Sequence, residues 1–454
     1  MKKEKDNELM EKIVSLCKRR GFVFQGSEIY GGLAGTFDWA HHGLALKNNL
    51  KNSWWKKFVD SRRDMYGIDA AIIMNGKVWE ASGHVTGFAD PMVECSVCKS
   101  RFRYDHIVQS QRQNEDGTYD CPIGETSKIK GGENNQHGLL TEPKQFNMMF
   151  ATKIGASEDT TSTVYLRPET AQGIFVNFKN TVDAFHPKLP FGIAQIGKAF
   201  RNEITPRDFI FRQREFEQME IEYFVREEDW GKYFEYGRGE MMSWMEEFGL
   251  DMSKVHEVEV DDADRAHYSK RTIDFEFDYP FGQKELFGLA YRTDFDLTNH
   301  KLDYIDEERA TKIVPHVIEP SMGVDRAVLA LLISSYAEET KDGEVREYLK
   351  LNPNIAPVIC AVSPLLKNKP ELVEYAEMKV FAPLKAEFGR VAWDDNGNIG
   401  KRYRRQDEIG TPFCIVVDFE TLTDNAVTVR DRNTGEQERI PVADLKEYIK
   451  DKIQ

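Results

Sequence analysis

The chain has 454 residues, a formal net charge of −15 and 41% hydrophobic residues. This length is too great for one ordinary hydrophobic core and predicts roughly two or three domains. No run approaches the ~20 apolar residues that a membrane span needs, and the polar start at Met1 is not typical of a secretory signal. We therefore expect a cytoplasmic protein without a membrane segment. The negative charge disfavours a protein that coats nucleic acid nonspecifically, but it allows a local basic surface for one folded RNA.

The N-terminal part of the chain predicts a short helix, a Gly-rich turn at residues 31–35, and a second helix. In that second helix Leu46, Leu50, Trp54 and Phe58 recur every four residues and therefore share one face. Packing against the core and a subunit contact could both explain this apolar face. The pattern favours packing.

A polar, Gly- and Asn-rich insertion follows and contains three of the six cysteines: Cys95, Cys98 and Cys121. Its CSVC and CPIG strings resemble a zinc ribbon that lacks the fourth cysteine, although His106 or His137 could complete the set. Structural zinc normally has four ligands. We assign no metal ligand from the sequence, interpret the cysteines as thiols in a reducing cytoplasm, and leave open whether these three bind zinc.

The most informative segment begins at Phe191 and contains two predicted strands, residues 193–203 and 215–225, joined by an arginine-rich loop. Alternate residues of a strand share a face. On the second strand one face is apolar and the other polar, the two sets being Met219, Ile221, Tyr223 and Val225, and Phe216, Gln218, Glu220 and Glu222. An antiparallel pair would bury the apolar face under helices and turn the polar face towards a cleft. A solvated sheet face with ion pairs is the alternative.

A second segment predicts a strand that ends at residues 319–323 and a helix that is apolar on nearly every side. Arg326 lies in the first turn of this helix. A buried helix N-terminus and an arginine together form a natural phosphate site, through unpaired N–H groups and a fixed charge. The alternative is that Arg326 pairs with Asp325 or Glu319.

A third polar cluster comprises residues 284–288 with Arg292, Asp294 and Asp296. Carboxylates near a triphosphate suggest Mg²⁺, because hard cations take oxygen ligands. The chain contains no G-x-x-x-x-G-K-[ST] phosphate loop and no G-x-G-x-x-G fingerprint. A nucleotide must therefore be held in another way, for example by an arginine on the sheet and an arginine at the helix start.

The strings FRNE at residues 200–203 and FRQREF at 211–216 resemble motif 2 of class II aminoacyl-tRNA synthetases, and GVDR at 323–326 resembles their motif 3. Three further strings resemble those of the glycyl enzymes within this class: RPETAQG at 167–173, VIEPS at 317–321 and ASGH at 81–84. DEIGTP at 407–412 is similar to part of the anticodon-binding domain of a subset of the class. The chain departs from the class in lacking the proline usual in motif 1.

The resemblance implies an α+β fold, with an antiparallel catalytic sheet flanked by helices and a C-terminal α/β anticodon-binding domain. The implied catalytic domain is residues 1–350, with an insertion at about 93–145 and a helical insertion at about 227–270. The implied anticodon-binding domain is residues 356–454.

The resemblance also implies an activity: ATP-dependent activation of glycine to glycyl-adenylate, then transfer of glycine to the 3′ end of tRNA(Gly). ATP would be a substrate and Mg²⁺ a cofactor, and the class implies a homodimer. Two alternatives remain. A class II synthetase for serine, threonine or proline would share motifs 2 and 3 but not the glycyl strings. A noncatalytic accessory protein would keep the fold but lose the phosphate-binding arginines.

By the same resemblance Arg201 and Arg326 are the catalytic residues, on the α- and γ-phosphates, and Phe216 stacks on adenine. The implied ATP site contains Arg201, Asn202, Glu203, Phe211, Arg212, Gln213, Arg214, Glu215, Phe216, Glu285, Leu286, Gly323, Val324, Asp325 and Arg326. The implied glycine site contains Arg103, Glu169, Phe216, Glu217, Gln218, Met219, Glu220, Glu319, Pro320, Ser321, Met322 and Gly323.

Overall fold

The computed structural model describes residues 2–110, 113–123, 137–155, 163–266, 268–341 and 343–453. Within these residues the elements form two groups with separate hydrophobic cores. The larger core runs from Ile13 to Ala356, and the second begins at Ile359 and includes Ile449. Gly124, the end of the CPIG string, lies outside the described residues.

The helices of the first group are α1 (Lys2–Arg19), α2 (His41–Trp55), α3 (Gly76–Ala81), α4 (His84–Gly87), α5 (Tyr104–Ser110), α6 (Ala171–Phe185), α7 (Trp230–Glu247), α8 (Phe295–Asn299) and α9 (Val324–Ser335). Its strands are β1 (Val23–Gln25), β2 (Phe37–Trp39), β3 (Met65–Gly67), β4 (Ile73–Met74), β5 (Ala89–Glu94), β6 (Arg101–Arg103), β7 (Lys144–Asn147), β8 (Ala151–Lys153), β9 (Thr163–Leu166), β10 (Phe191–Phe200), β11 (Glu215–Val225), β12 (Val255–Glu259), β13 (Arg271–Tyr279), β14 (Gly282–Thr293), β15 (Tyr304–Asp306), β16 (Thr311–Ile313), β17 (His316–Gly323), β18 (Tyr336–Lys341) and β19 (Glu344–Leu349).

The central sheet of the described chain has seven strands in the order β12-β13-β14-β17-β11-β10-β3. Every neighbouring pair is antiparallel except β10 and β3, which run parallel at one edge. Strands β10 and β11 pair from Phe191 opposite Phe224 to Phe200 opposite Glu215. This pairing confirms the predicted antiparallel unit and the α+β class.

One face of the sheet packs on helices, as the alternation along β11 predicts. Met219 and Ile221 of β11 join the core that α2, α7 and α9 also form. Leu46, Leu50 and Trp54 of α2 are fully buried in this core, so its apolar face serves packing. Burial of such side chains stabilises the fold by about 1.5–3 kcal/mol each.

Two predicted boundaries differ from the structure. Strand β10 ends at Phe200, so Arg201 and Glu203 lie in the loop that follows rather than on the strand. The predicted helical insertion at 227–270 contains α7 but also β12, which pairs with β13 at the edge of the central sheet. A short edge strand with half-exposed side chains carries little hydrophobic periodicity, and the acidic residues around it masked the strand.

The insertion folds as a small unit of its own. Strands β6, β5 and β7 form a three-stranded antiparallel sheet beside α5. Its buried cluster has only six members within the described residues: Val93, Cys95, Ile107, Tyr119, Cys121 and Leu140. A core of this size supplies little stabilisation by itself.

The second group contains β20 (Cys360–Pro364), α10 (Pro370–Tyr375), α11 (Ala382–Phe388), β21 (Val391–Trp393), α12 (Ile399–Ile409), β22 (Phe413–Val417), α13 (Thr421–Asp424), β23 (Ala426–Asp431), β24 (Gln437–Pro441) and α14 (Leu445–Ile453). Its sheet has the order β21-β20-β22-β23-β24, parallel on one side of β22 and antiparallel on the other. A hairpin turn that includes residues 433–435 joins β23 to β24. Among the described residues, no helix has the length and apolar character needed to cross a bilayer.

Candidate active site

A cleft of about 350 Å³ lies on the polar face of the central sheet. Strands β11, β14 and β17 form its floor, and the loop between β10 and β11 and the start of α9 form its sides. Most of the predicted site residues line it: Glu169, Arg201, Glu203, Phe211, Arg212, Gln213, Phe216, Glu217, Gln218, Glu220, Glu285, Leu286, Glu319, Ser321, Gly323, Asp325 and Arg326. The structure therefore brings together residues as far apart in the sequence as Glu169 and Arg326.

Arg201 is held at one end of the cleft by a backbone carbonyl and by two aromatic rings. Its Nε donates to the Pro168 carbonyl at 3.0 Å. Its guanidinium lies over the rings of Phe88 and Phe216, 5.4 and 5.3 Å from their centroids. Cation–π contacts of this kind orient an arginine without neutralising it, so the charge stays available to an anion.

Arg326 projects into the same end of the cleft from the first turn of α9. Its Nη1 donates to a carboxylate oxygen of Glu285 at 3.0 Å and to the carbonyl of the same residue at 3.1 Å. Its guanidinium also lies 4.5 Å from the centroid of the Phe211 ring. The partner is thus Glu285 on β14, and not the Asp325 or Glu319 considered as sequence alternatives.

Asp325 is occupied by structural contacts. One of its oxygens accepts from Lys47 Nζ of α2 at 3.0 Å, and the other accepts from the backbone N–H of Glu217 at 2.8 Å. Lys47 also lies 2.9 Å from the Glu217 carboxylate, and all three side chains are largely buried. This triad joins α2, β11 and α9. Asp325 therefore has a structural role, although it stands next to Arg326.

The arginine end of the cleft carries more positive than negative charge. Burial lowers the pKa of Arg212, and nearby Arg103, Arg326 and Arg207 lower it further, whereas Glu203 opposes them. Like charges converge in this way at a cost in free energy unless an anion joins them. The electrostatics therefore favour a polyanion here.

Arg103, on strand β6 of the insertion, adds positive charge near the arginine end of the cleft. Its guanidinium bridges Asp90 at 2.8 Å and Asp105 at 2.7 Å. The Glu203 carboxylate contributes to the raised pKa of Arg103, behind burial, which opposes it, and the two aspartates. Arg103 thus stands within electrostatic reach of the cleft, although it is not among the residues that line it.

The opposite end of the cleft is a cluster of buried carboxylates. Glu220 accepts hydrogen bonds from the hydroxyls of Thr170 and Ser321, the latter at 2.8 Å. Glu169 lies 3.4 Å from the His84 ring and accepts from the Gln172 amide at 3.1 Å. The hydroxyl and amide donors hold these carboxylates in place.

Arg292 and Asp296, both members of the third polar cluster of the sequence, lie beside this end of the cleft. Both are almost fully buried and form a two-pronged ion pair, with bonds of 2.8 and 2.9 Å. Arg292 also donates to Glu319 at 2.8 Å. The period-two pattern on β14 places Arg292 on the same face as Leu286, which lines the cleft, and that pattern could have predicted its position beside the cleft.

The carboxylates outnumber the cations at this end. Burial raises the pKa of Glu220, with Glu169 adding to it, and burial raises the pKa of Glu222 well above its ordinary value. Both Glu222 oxygens are buried and accept no hydrogen bond among the described residues. Burial raises the pKa of Glu319 to about 8 despite Arg292. This end therefore suits a small cation.

Other predicted site residues lie off the cleft. Met219 and Met322 are buried on the opposite face of the sheet, and Val324 is buried inside α9. Pro320 lines a small pocket on that same opposite side. The N–H of Asn202 donates to a neighbouring loop carbonyl at 2.7 Å. The side chains that face the core thus position the residues between them.

Arg214 ties the arginine-rich loop to the Gly-rich turn. It donates to the Ala34 carbonyl at 2.8 Å and to the Glu203 carbonyl at 3.1 Å. Gly35 in that turn has a φ of 72°, and a Cβ there would stand 2.6 Å from a carbon of Pro206, so only glycine fits. Glu215 pairs with a lysine on the exposed surface. These contacts shape the loop.

Two family models match the chain. The model described as "tRNA synthetase class II core domain (G, H, P, S and T)" matches residues 150–336, and the model described as "Anticodon binding domain" matches residues 359–452. The first match contains the strands of the cleft floor and α9. The fold is therefore that of a class II tRNA synthetase core with an anticodon-binding domain.

Curated relatives make the assignment more specific, and each of the following is named glycine–tRNA ligase. The chain is 47% identical to that of Caldanaerobacter subterraneus (98% of both chains), 49% to that of Lachnospira eligens (98% of this chain, 99% of the relative) and 45% to that of Thermus thermophilus (98% and 99%). The chain belongs to the glycine–tRNA ligase family. The resemblance drawn from the sequence is confirmed.

Proposed function

We propose that the chain activates glycine with ATP and transfers it to the 3′ end of tRNA(Gly), as the name of its family implies. The observation that supports this best is the division of the cleft, with arginines at one end and buried carboxylates at the other. A triphosphate needs the first and an amino acid ammonium needs the second. Strand β11 runs between the two ends and would set the α-phosphate beside the glycine carboxylate.

In the first step a glycine carboxylate oxygen attacks the α-phosphorus of ATP, and pyrophosphate leaves. Arg201 binds the α-phosphate and stabilises the charge that develops on it, and Arg326 binds the γ-phosphate. Phe216 stacks on adenine. The nucleophile comes from the substrate, so the protein acts by positioning and by preorganised charge.

In the second step a ribose hydroxyl at the 3′ end of tRNA attacks the carbonyl carbon of glycyl-adenylate, and AMP leaves. Glu169, Glu220 and Glu319 hold the glycine ammonium, because an ammonium removed from water needs carboxylate partners. Ser321 is fixed on Glu220 at 2.8 Å and crowds the α-carbon. Any side chain larger than hydrogen would overlap with this wall.

Mg²⁺ would bind where carboxylates meet the triphosphate. Glu285 faces the arginine end, and burial, with Glu285 and Glu276, raises the pKa of Asp274 to about 7. A divalent cation would relieve that repulsion, and oxygen ligands suit it. When bound, it would supply positive charge against the β- and γ-phosphates. Glu285 is the residue that would hold it.

The finer organisation also belongs to this proposal: a cytoplasmic homodimer with a catalytic domain at 1–350 and an anticodon-binding domain at 356–454. Helix α12 carries a basic cluster of Lys401, Arg402, Arg404 and Arg405. Arg402 is buried and donates to the Pro364 carbonyl at 2.5 Å, and Arg405 pairs with Asp394. Lys401 and Arg404 are exposed and are the candidates for tRNA contact.

The direct test is ATP–pyrophosphate exchange with each standard amino acid offered separately. We expect exchange with glycine only, with alanine and serine at background, because the site excludes a β-carbon by overlap. A subsequent assay with purified tRNA(Gly) should show glycine esterified at its 3′ end. Exchange with alanine or serine at a rate comparable to glycine would contradict the glycine assignment.

The binding of glycine should depend on pH through Glu319. In the empty site burial, with Glu220 and Glu169, raises the pKa of this carboxyl to about 8. Below that pH Glu319 carries a proton, which must leave before it can pair with an ammonium. The Kd of glycine should therefore rise as pH falls, by up to about tenfold per unit.

Calorimetric titration in buffers of different ionisation enthalpy would measure the proton released when glycine binds. We expect release below about pH 8 and none well above it. The Glu319→Gln variant cannot release this proton and should bind weakly with a flat pH profile. A wild-type Kd that does not change from about pH 6 to pH 9 would contradict this role for Glu319.

A further inference from the structure

The insertion brings four metal-binding side chains to one point. Cys95, Cys98, Cys121 and His137 place one ligand atom each within 4.8 Å of all the others. The two outer cysteines, Cys95 and Cys121, are buried, and the other two residues are half-buried. His106, the other histidine considered from the sequence, is not part of this group.

Two separations within the group match those of a tetrahedral zinc centre. With Zn–S bonds of about 2.3 Å and Zn–N bonds of about 2.05 Å, a tetrahedral centre places two sulfurs about 3.8 Å apart and a sulfur and nitrogen about 3.6 Å apart. The Sγ atoms of Cys98 and Cys121 are 3.8 Å apart, and Cys121 Sγ lies 3.6 Å from His137 Nδ1. A disulfide requires an S–S distance of about 2.05 Å, so these thiols are not bonded to each other.

The backbone around Cys95 is arranged for a charged sulfur. The N–H groups of Cys98 and Gly138 both point at Cys95 Sγ, each at 3.4 Å. Such donors stabilise a thiolate, which is the form that binds metal. A Cβ at Gly138 would stand 2.5 Å from Ser96 Oγ and 2.7 Å from a Val97 methyl, so glycine allows the two segments to approach this closely.

The position of the group suits a structural role. Cys95 and Cys98 lie in the turn between β5 and β6, and Cys121 and His137 lie on the segments that bridge back to it at Asp120–Leu139 and Cys95–Leu140. Six buried side chains form the whole described core of this unit, and units this small commonly depend on a metal or a disulfide. Four protein ligands leave no open position, which is typical of structural rather than catalytic zinc.

We propose that Cys95, Cys98, Cys121 and His137 bind one structural Zn²⁺, with the histidine in the place of a fourth cysteine. The metal joins the β5–β6 turn to the returning chain and thereby fixes β6. Arg103, at the end of β6, pairs with Asp90 and stands within electrostatic reach of the arginine end of the cleft. The zinc site therefore supports the cleft from outside it, independently of which amino acid is activated.

The test is the metal content of the purified full-length protein. We expect about one zinc per chain, and addition of Co²⁺ to metal-free protein should give the thiolate-to-cobalt charge-transfer and tetrahedral d–d absorptions. The Cys98→Ser and His137→Ala variants should lose most of the zinc after dialysis. The His137→Cys variant should retain it and keep the protein folded, because a thiolate is also a zinc ligand.

The control is His106→Ala, which removes a histidine of the same insertion and should keep wild-type zinc. Wild-type protein that contains no zinc and takes up neither added Zn²⁺ nor Co²⁺ would overturn the proposal. Equal zinc in wild-type and His137→Ala protein would also overturn it, since the fourth ligand would be another group. A thiol titration that finds two of the three cysteines already oxidised would also overturn the proposal, because those two cysteines would form a disulfide.

Discussion

Replacing Arg201 with alanine should reduce ATP–pyrophosphate exchange by about 30- to 1,000-fold, which corresponds to the roughly 2–4 kcal/mol of one charge-assisted phosphate contact. The guanidinium is oriented by the Pro168 carbonyl and by two aromatic rings, so the wild-type protein holds it in place before ATP arrives. Alanine removes the charge and leaves the sheet intact. The effect should appear in kcat as well as in the KM for ATP.

Arg326→Ala should reduce ATP–pyrophosphate exchange to a similar extent, because the variant removes the γ-phosphate contact and leaves Glu285 without its partner at 3.0 Å. Arg309→Ala is a matched control. Arg309 pairs with Glu228 on the surface, outside the cleft, and both side chains are about half exposed, so exchange should not change. Circular dichroism and thermal melting would show that all three variants are folded. Retained exchange in both active-site variants would favour the noncatalytic accessory protein.

Strand β11 was predictable because polar and apolar residues alternate along its middle, from Gln218 to Tyr223. The strand has the predicted bounds, although its residues from Gln218 to Val225 are buried on both faces. Strand β10 is also largely buried, but apolar residues and glycines fill both of its faces and only Gln195 and Lys198 are polar. With no alternation to mark its end, the prediction continued through Arg201 to Glu203, where the chain has already turned away.

The candidate site was predictable where a motif names a residue and less so where tertiary contacts define it. His84 belongs to a recognised string, but its contact with Glu169 at 3.4 Å depends on how two distant segments fold together. Arg292 lies in the polar cluster whose carboxylates suggest Mg²⁺, but the sequence assigns it no partner. Its burial between Asp296 and Glu319 is a property of the sheet pairing. Both His106 and His137 could complete the cysteine set in the sequence, and the fold brings His137 to the three cysteines.

Substitution of Glu169 by glutamine should weaken glycine activation by about 2–5 kcal/mol, or roughly 30- to 4,000-fold in kcat/KM for glycine. Burial disfavours the charge on Glu169, but the His84 ring, Arg292 and the Gln172 amide together hold its pKa well below the ordinary value. Glu169 is therefore the carboxylate in this cluster that is ionised before glycine binds. Glutamine keeps the shape and still accepts from Gln172, but it offers the ammonium no charge.

Two measurements separate this role from a structural one. ATP binding measured without glycine should change little in Glu169→Gln, because the variant lies at the carboxylate end of the cleft. Glu228→Gln provides the control: it removes a carboxylate outside the cleft, where Glu228 is about half exposed and pairs with Arg309, and exposed pairs contribute little to stability. Equal losses of ATP and glycine affinity in Glu169→Gln would mean that Glu169 supports the fold or the nucleotide site. A loss of affinity for glycine alone would place the glycine ammonium beside Glu169. Selection of glycine would then rest on the charge of Glu169 at one side of the α-carbon and on steric overlap with larger side chains at the other.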